Sequence, residues 1–151
     1  MQLILYFSAE KQRTAKVAKD LADHLSAALI EIKPEVPYSP ADLRYLNPLA
    51  RCNKEKLLKK DIPISDATKK QLKDWENYDV IYLGFPIWYG GAPNVVNSFC
   101  KSLDWSGKKV HIFATSMTSG IGKTAEKLKP FLKGAEIVNA RRVNTAAELT
   151  D

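Results

Sequence analysis

Gly84-Phe85-Pro86-Ile87-Trp88-Tyr89-Gly90-Gly91-Ala92-Pro93 separates two segments of different periodicity, and its reading decides the fold. Before it runs Val80-Ile81-Tyr82-Leu83, short and β-rich enough for a strand buried on both faces. After it, Val95, Val96, Phe99, Cys100 and Leu103 recur at helical spacing, with Pro93 placed to open the helix. The stretch therefore lies at the carboxyl end of a strand, where open α/β sheets bind ligands. Pro86 makes a rigid entry, Trp88 and Tyr89 offer two flat apolar faces, and Gly90-Gly91 free the backbone that follows. A planar ligand suits this combination, although the same two rings could equally plug the loop into the core.

Outward from this loop, strands and helices alternate. Leu3-Ile4-Leu5-Tyr6-Phe7 reads as a first strand and Ser8–Thr14 as a loop. Val17, Leu21, Leu25 and Ala28 then trace one helical stripe leading to a second strand, Leu29-Ile30-Glu31-Ile32. Between Lys33 and Ser65 the periodicity is lost and five of the eight prolines occur. Loops of that length usually bind something or are unstructured, and Pro37-Tyr38-Ser39, Asp42 and Arg51 give this one the polar chemistry to line a site. Ser65-Asp66 caps a polar helix reaching Trp75. Lys109–Ala114 is a fourth strand, and Thr115-Ser116-Met117-Thr118-Ser119-Gly120 opens a helix with Ile121, Ala125, Leu128 and Leu132 on one face, stopped by Gly134. Glu136–Val143 is the fifth strand, and Thr145-Ala146-Ala147-Glu148 has the form of a capping box for a short last helix.

These elements predict one α/β domain over residues 1–151: a doubly wound, five-stranded parallel sheet of order 2-1-3-4-5 with a truncated C-terminal helix. In that order the first and third strands are neighbours across the switch point. The loops Ser8–Thr14, Pro86–Ala92 and Thr115–Gly120 then converge on one crevice. The first leads into a helix N-terminus, a natural anion site, so a phosphorylated planar cofactor fits all three.

Composition narrows the alternatives. With 45% hydrophobic and 26% charged residues, the chain is an ordinary globular sequence able to bury a core. The first strand begins without the basic flank and cleavage site of a signal peptide, and no run reaches membrane-spanning length, so a cytoplasmic protein without a membrane role is expected. Cys52 and Cys100 suggest no disulfide framework, and His24 and His111 have no second ligand at metal-binding spacing. The net charge of +6 raises nucleic acid as a partner, but the lysines are scattered and lack interleaved aromatics, which favours a solvated face. Gly120-Ile121-Gly122-Lys123-Thr124 resembles a nucleotide-triphosphate loop, yet that motif needs glycine where Met117 stands.

Tyr6-Phe7-Ser8 followed by Thr14-Ala15-Lys16-Val17-Ala18, Pro37-Tyr38, Gly84-Phe85-Pro86-Ile87-Trp88-Tyr89, Phe113-Ala114-Thr115-Ser116 and Ser119-Gly120-Ile121-Gly122-Lys123-Thr124 together resemble the flavodoxin family, in particular its short-chain flavodoxin-like proteins. The resemblance spans essentially the whole chain. It implies an FMN-binding redox protein, an electron carrier or an NAD(P)H- or quinone-type oxidoreductase, working with a redox partner protein or a small electron acceptor. By this similarity Ser8 and Thr14 hold the FMN phosphate, with Lys11 and Arg13 adding positive charge. Trp88 or Tyr89 covers the isoalloxazine ring, in a loop whose Pro86, Ile87 and Gly90 also belong to the cofactor site, and Thr115, Ser116, Ser119 and Gly120 border its other side and edge. The Gly90-Gly91 backbone is expected to reorient toward the flavin N5, and no side chain acts as a catalytic acid or base. Stacking on Trp88 or Tyr89 is expected to disfavour the anionic reduced ring. The phosphate loop here has no glycine and is one residue longer than the family's Thr-Gly-x-Thr core, and the family's well-known carriers are acidic where this chain is basic. A flavin-free interaction module is therefore the alternative reading. The short last helix leads us to expect some uncovered apolar sheet surface and, with it, a homodimer.

Overall fold

The computed structural model describes residues 1–8, 13–35, 51, 62–88, 91–116 and 120–150. Among them, β1 (Gln2–Tyr6), α1 (Arg13–Leu25), β2 (Ala28–Glu31), α2 (Asp66–Gln71), β3 (Val80–Pro86), α3 (Asn94–Lys101), β4 (Lys109–Thr115), α4 (Thr124–Leu128), β5 (Glu136–Arg142) and α5 (Ala147–Thr150) follow in order. The strands form one parallel sheet, β2-β1-β3-β4-β5, the expected 2-1-3-4-5 order.

The inner strands read as unbroken apolar runs because both faces are covered. Leu3, Leu5, Ile81, Leu83, Phe85, Val110 and Ile112 share one cluster with Val95, Val96 and Phe99 of α3 and Leu128 of α4. The residues pointing the other way, Ile4, Tyr6 and Phe113, pack with Ala15, Ala18, Leu21 and Ala22 of α1. Ala146 and Leu149, in and just before α5, extend that second cluster at its border. Among the described residues, Val138 of β5 and Met1 are large apolar side chains left exposed.

Several boundaries differ from the sequence reading, each for a local reason. Ala28, placed on the helical stripe, is the first residue of β2 and pairs with Leu3. The helix stops earlier because Ser26 takes a left-handed φ of 51°. The Ala27 N–H then reaches back to the Ala22 carbonyl (3.0 Å), the C-terminal motif usually built on glycine. The helix after Ser65 ends at Gln71, and Trp75 lies in a separate turn, Trp75–Asn77. Ser65 caps it as expected, its hydroxyl accepting the Thr68 N–H (3.3 Å). The helix after β4 is cut to Thr124–Leu128 and continues as a tighter turn, Lys129–Phe131, in which Pro130 has no N–H to give. β3 runs on through Gly84 and Phe85 to Pro86, so the aromatic loop begins at Ile87. At α5, Glu148 reaches back to the Asn144 N–H (3.3 Å), one residue before the capping pair expected at Thr145.

Candidate functional site

The carboxyl ends of β1, β3 and β4 meet where the strand order reverses, and hydrogen bonds tie their loops together. The Phe7 N–H donates to the Gly84 carbonyl (2.9 Å), which holds the exit of β1 against β3. The Ile87 N–H donates to the Thr115 carbonyl (3.0 Å), which holds the exit of β3 against β4. Trp88 and Gly91 exchange two backbone hydrogen bonds, 2.9 and 3.1 Å, and so close the aromatic loop at its base. The Trp88 ring is half-buried and stands perpendicular to Phe7, centroids 5.6 Å apart. This is a favoured edge-to-face arrangement, and it fixes the plane of the indole.

Ser8 and α1 form the polar wall. The half-buried Ser8 hydroxyl accepts the Ala15 N–H (3.2 Å), one of the first-turn donors that a helix cannot satisfy internally. Because that oxygen acts as acceptor, its own hydrogen remains to be donated to an anion. Arg13, exposed at the start of α1, adds charge to the positive end of the helix dipole. Thr14 is turned inward. The residue is 1% exposed, and its hydroxyl pairs with that of Thr115 (2.7 Å), a residue 5% exposed, so the pair ties α1 to the end of β4 beneath the site.

Ser116, half-buried, follows the end of β4 at the crevice, and Gly120 is exposed. Ser116 is gripped by Arg142 at the end of β5: Nε donates to its hydroxyl (3.0 Å) and an Nη to its carbonyl (3.1 Å). Neither Arg142 nor Phe7 was singled out from sequence as a site residue. Both could have been, since the order 2-1-3-4-5 puts the end of β5 beside that of β4, and Phe7 immediately precedes Ser8. The structure thus brings together Ser8, Arg13, Pro86, Ile87, Trp88, Thr115 and Ser116, with Thr14 beneath them. Lys11, Tyr89, Gly90 and Ser119 lie outside the described residues, as does nearly all of the proline-rich segment between Lys33 and Ser65.

Three other ionisable side chains serve the packing of the domain. The Tyr6 hydroxyl donates to Glu31 (3.2 Å); burial first, and then the neighbouring carboxylate, push its pKa up to about 12. Burial alone pushes the Cys100 thiol well above its usual range, which leaves it unreactive. His111 stacks on Tyr82, centroids 4.6 Å apart. Among the described residues no group of three metal-ligating side chains occurs, and no helix is long and apolar enough to cross a membrane.

The whole sequence, residues 1–151, matches a protein family described as Flavodoxin. Among solved structures, a candidate flavoprotein from Bacteroides eggerthii is 32% identical, covers 99% of this chain and 92% of its own, and superposes with a TM-score of 0.88. A candidate flavoprotein from Bacteroides uniformis is 34% identical over 99% and 93% of the two chains, with a TM-score of 0.82. A flavoprotein from Lactobacillus acidophilus, solved in complex with FMN, is 22% identical over 99% and 95%, with a TM-score of 0.72. No curated protein matches the sequence.

Proposed function

The chain belongs to the flavodoxin family, and from that premise we propose that it is an FMN-binding redox protein of the cytoplasm. It passes electrons to a partner protein or reduces a small acceptor. The observation that carries this reading is the continuous chain of contacts from Trp88 through Phe7 and Ser8 to the start of α1. A flat apolar face and an anion-binding helix end are held side by side at the switch point, as a planar phosphorylated ligand requires. The FMN complex of the Lactobacillus acidophilus flavoprotein, similar in fold, supports the choice of ligand.

The donor set suits FMN. The Ser8 hydroxyl, the first-turn N–H groups of α1 and the Arg13 guanidinium hold the phosphate. Trp88 stacks on one side of the ring, and Ile87 and Ser116 line the crevice beside it. When bound, the flavin supplies one- and two-electron chemistry, and the protein sets its orientation, exposure and potential. Trp88 and Phe7 exclude water from the ring, while the Ile87–Thr115 hydrogen bond keeps the aromatic loop registered on β4. No side chain is assigned a proton-transfer role. The net charge of +6 favours an electron-transfer partner with an acidic docking face.

The test is titration of the apoprotein with FMN and with riboflavin, which lacks the phosphate, followed by flavin absorbance and tryptophan fluorescence. FMN should bind at least about tenfold more tightly, in keeping with the strength of charge-assisted hydrogen bonds. A Trp88→Ala, Tyr89→Ala double substitution should weaken both ligands. Equal affinities for the two flavins would remove the phosphate site from the reading, and failure to bind either would refute it.

A further inference from the structure

Arg142 grips both polar groups of Ser116, the residue that follows the last of β4 and borders the crevice. Ser116 alone could rotate its hydroxyl and let its peptide swing. A planar guanidinium donating to the hydroxyl and the carbonyl together removes both freedoms. The grip also fixes a positive charge at a known place, within 3.1 Å of the Ser116 carbonyl oxygen. Thr115, one residue earlier, is anchored through its hydroxyl to Thr14. The wall is therefore held from β5 on one side and from α1 on the other.

Resting on the flavin reading above, we propose that Arg142 is a positioning residue that makes this wall electropositive and so favours the reduced over the oxidised flavin. Two-electron reduction adds two electrons and, at neutral pH, one proton at N5, which leaves one negative charge on the ring. A cation beside the wall stabilises that charge and leaves the neutral oxidised ring almost unaffected. A unit charge beside a wall partly open to solvent gives a preference on the order of tenfold. Arg142 thus opposes Trp88, whose electron-rich face disfavours the same anion, and the potential reports the balance of the two.

The experiment compares wild type, Arg142→Gln and Arg142→Lys. Dissociation constants for oxidised FMN come from fluorescence titration, and those for reduced FMN from anaerobic titration with dithionite as reductant. Gln can still donate to Ser116 but carries no charge; it should lower the oxidised-to-reduced ratio of dissociation constants about tenfold, equivalent to a potential about 30 mV lower for two electrons. Lys keeps the charge but reaches only one acceptor at a time; it should keep the ratio within about threefold while weakening both forms alike. A Gln variant with the wild-type ratio, in a wild type that binds FMN, overturns the role of Arg142 and leaves the flavin reading standing. A Lys variant that loses the ratio as fully as Gln overturns the role of the charge. A wild type that binds neither form overturns the flavin reading and this inference with it.

Discussion

Substituting Gly84 by alanine tests the closest approach in the sheet beneath the site. Gly84 lies on β3, with Tyr6 and Phe113 as its neighbours in register. A Cβ built on it would sit 2.1, 2.3 and 2.8 Å from three atoms of the Phe113 ring. Carbon atoms in contact prefer about 3.5–4 Å, so the ring would have to retreat by about 1.5 Å. It has little room to do so, because Phe113 is fully buried among Ile4, Tyr6 and the α1 side chains. Overpacking of this kind costs about 1–3 kcal/mol. Stiffening the unfolded chain returns about 0.4–1 kcal/mol, since the φ of Gly84 is one that alanine also adopts. The net loss is about 1–2 kcal/mol, or roughly 2–8 °C in Tm for a domain of this size. A double-mutant cycle with Phe113→Leu isolates the cause: the smaller side chain should recover at least about 1 kcal/mol of the Gly84→Ala loss in urea unfolding. Strict additivity, or a Gly84→Ala protein as stable as wild type, would refute the reasoning.

The remaining expectations concern buried polar groups. Tyr6→Phe should remove a stability loss that wild type shows between about pH 10 and pH 12: the folded pKa is raised, the unfolded state releases its proton first, and stability falls as pH rises, by about 1–2 kcal/mol after screening. Urea unfolding across that pH range measures the difference, and identical slopes in the two proteins would count against it. Lys108, 6% exposed, donates to the Trp75 and Tyr78 carbonyls and lies 4.5 Å from the Trp75 ring centroid. Lys108→Met should therefore cost about 2–3 kcal/mol in the same assay, and a loss below about 0.5 kcal/mol would show that the methionine stem suffices. Thr14→Val should cost about 1–2 kcal/mol by leaving the Thr115 hydroxyl buried without its partner. The Thr14→Val, Thr115→Val pair should be no worse than the single change, and a clearly less stable double variant would refute the pairing.

The order of the sheet was legible because its signals are long and redundant. β1, β3 and β4 are apolar on both faces, a pattern that only helix-covered parallel strands sustain, and the connections between them are too long for hairpins. The ends of the elements were less legible because they are decided by single residues acting against expectation. Ser26 does the work usually given to glycine, Pro130 tightens a turn that periodicity would continue as helix, and Pro86 closes a strand. The crevice was expected from topology, which needs only the sheet order and the loops at the switch point. What sequence assigned poorly was orientation within it. Thr14 and Ser8 both carry hydroxyls at the ends of the loop after β1, and nothing in their spacing says that one turns inward to Thr115 while the other caps α1.

That division of labour follows from the helix itself. A first helical turn that opens onto a ligand must be held rigid from below and left donating above. Thr14 meets the first need: it is buried, β-branched and locked to β4, so α1 cannot slide without breaking a hydrogen bond that water does not reach. Ser8 meets the second, since a hydroxyl that accepts from Ala15 still has a proton to offer. Glycine in a phosphate loop serves to let the backbone come close to the anion. On the flavin reading, a serine hydroxyl at the exit of β1 and an arginine at the first helical position would supply donors from side chains instead. An anion can then be held without so close a backbone approach. The absence of glycine from Ser8–Thr14 is in this way compatible with a phosphate site, provided that the helix stays anchored through Thr14 and Thr115.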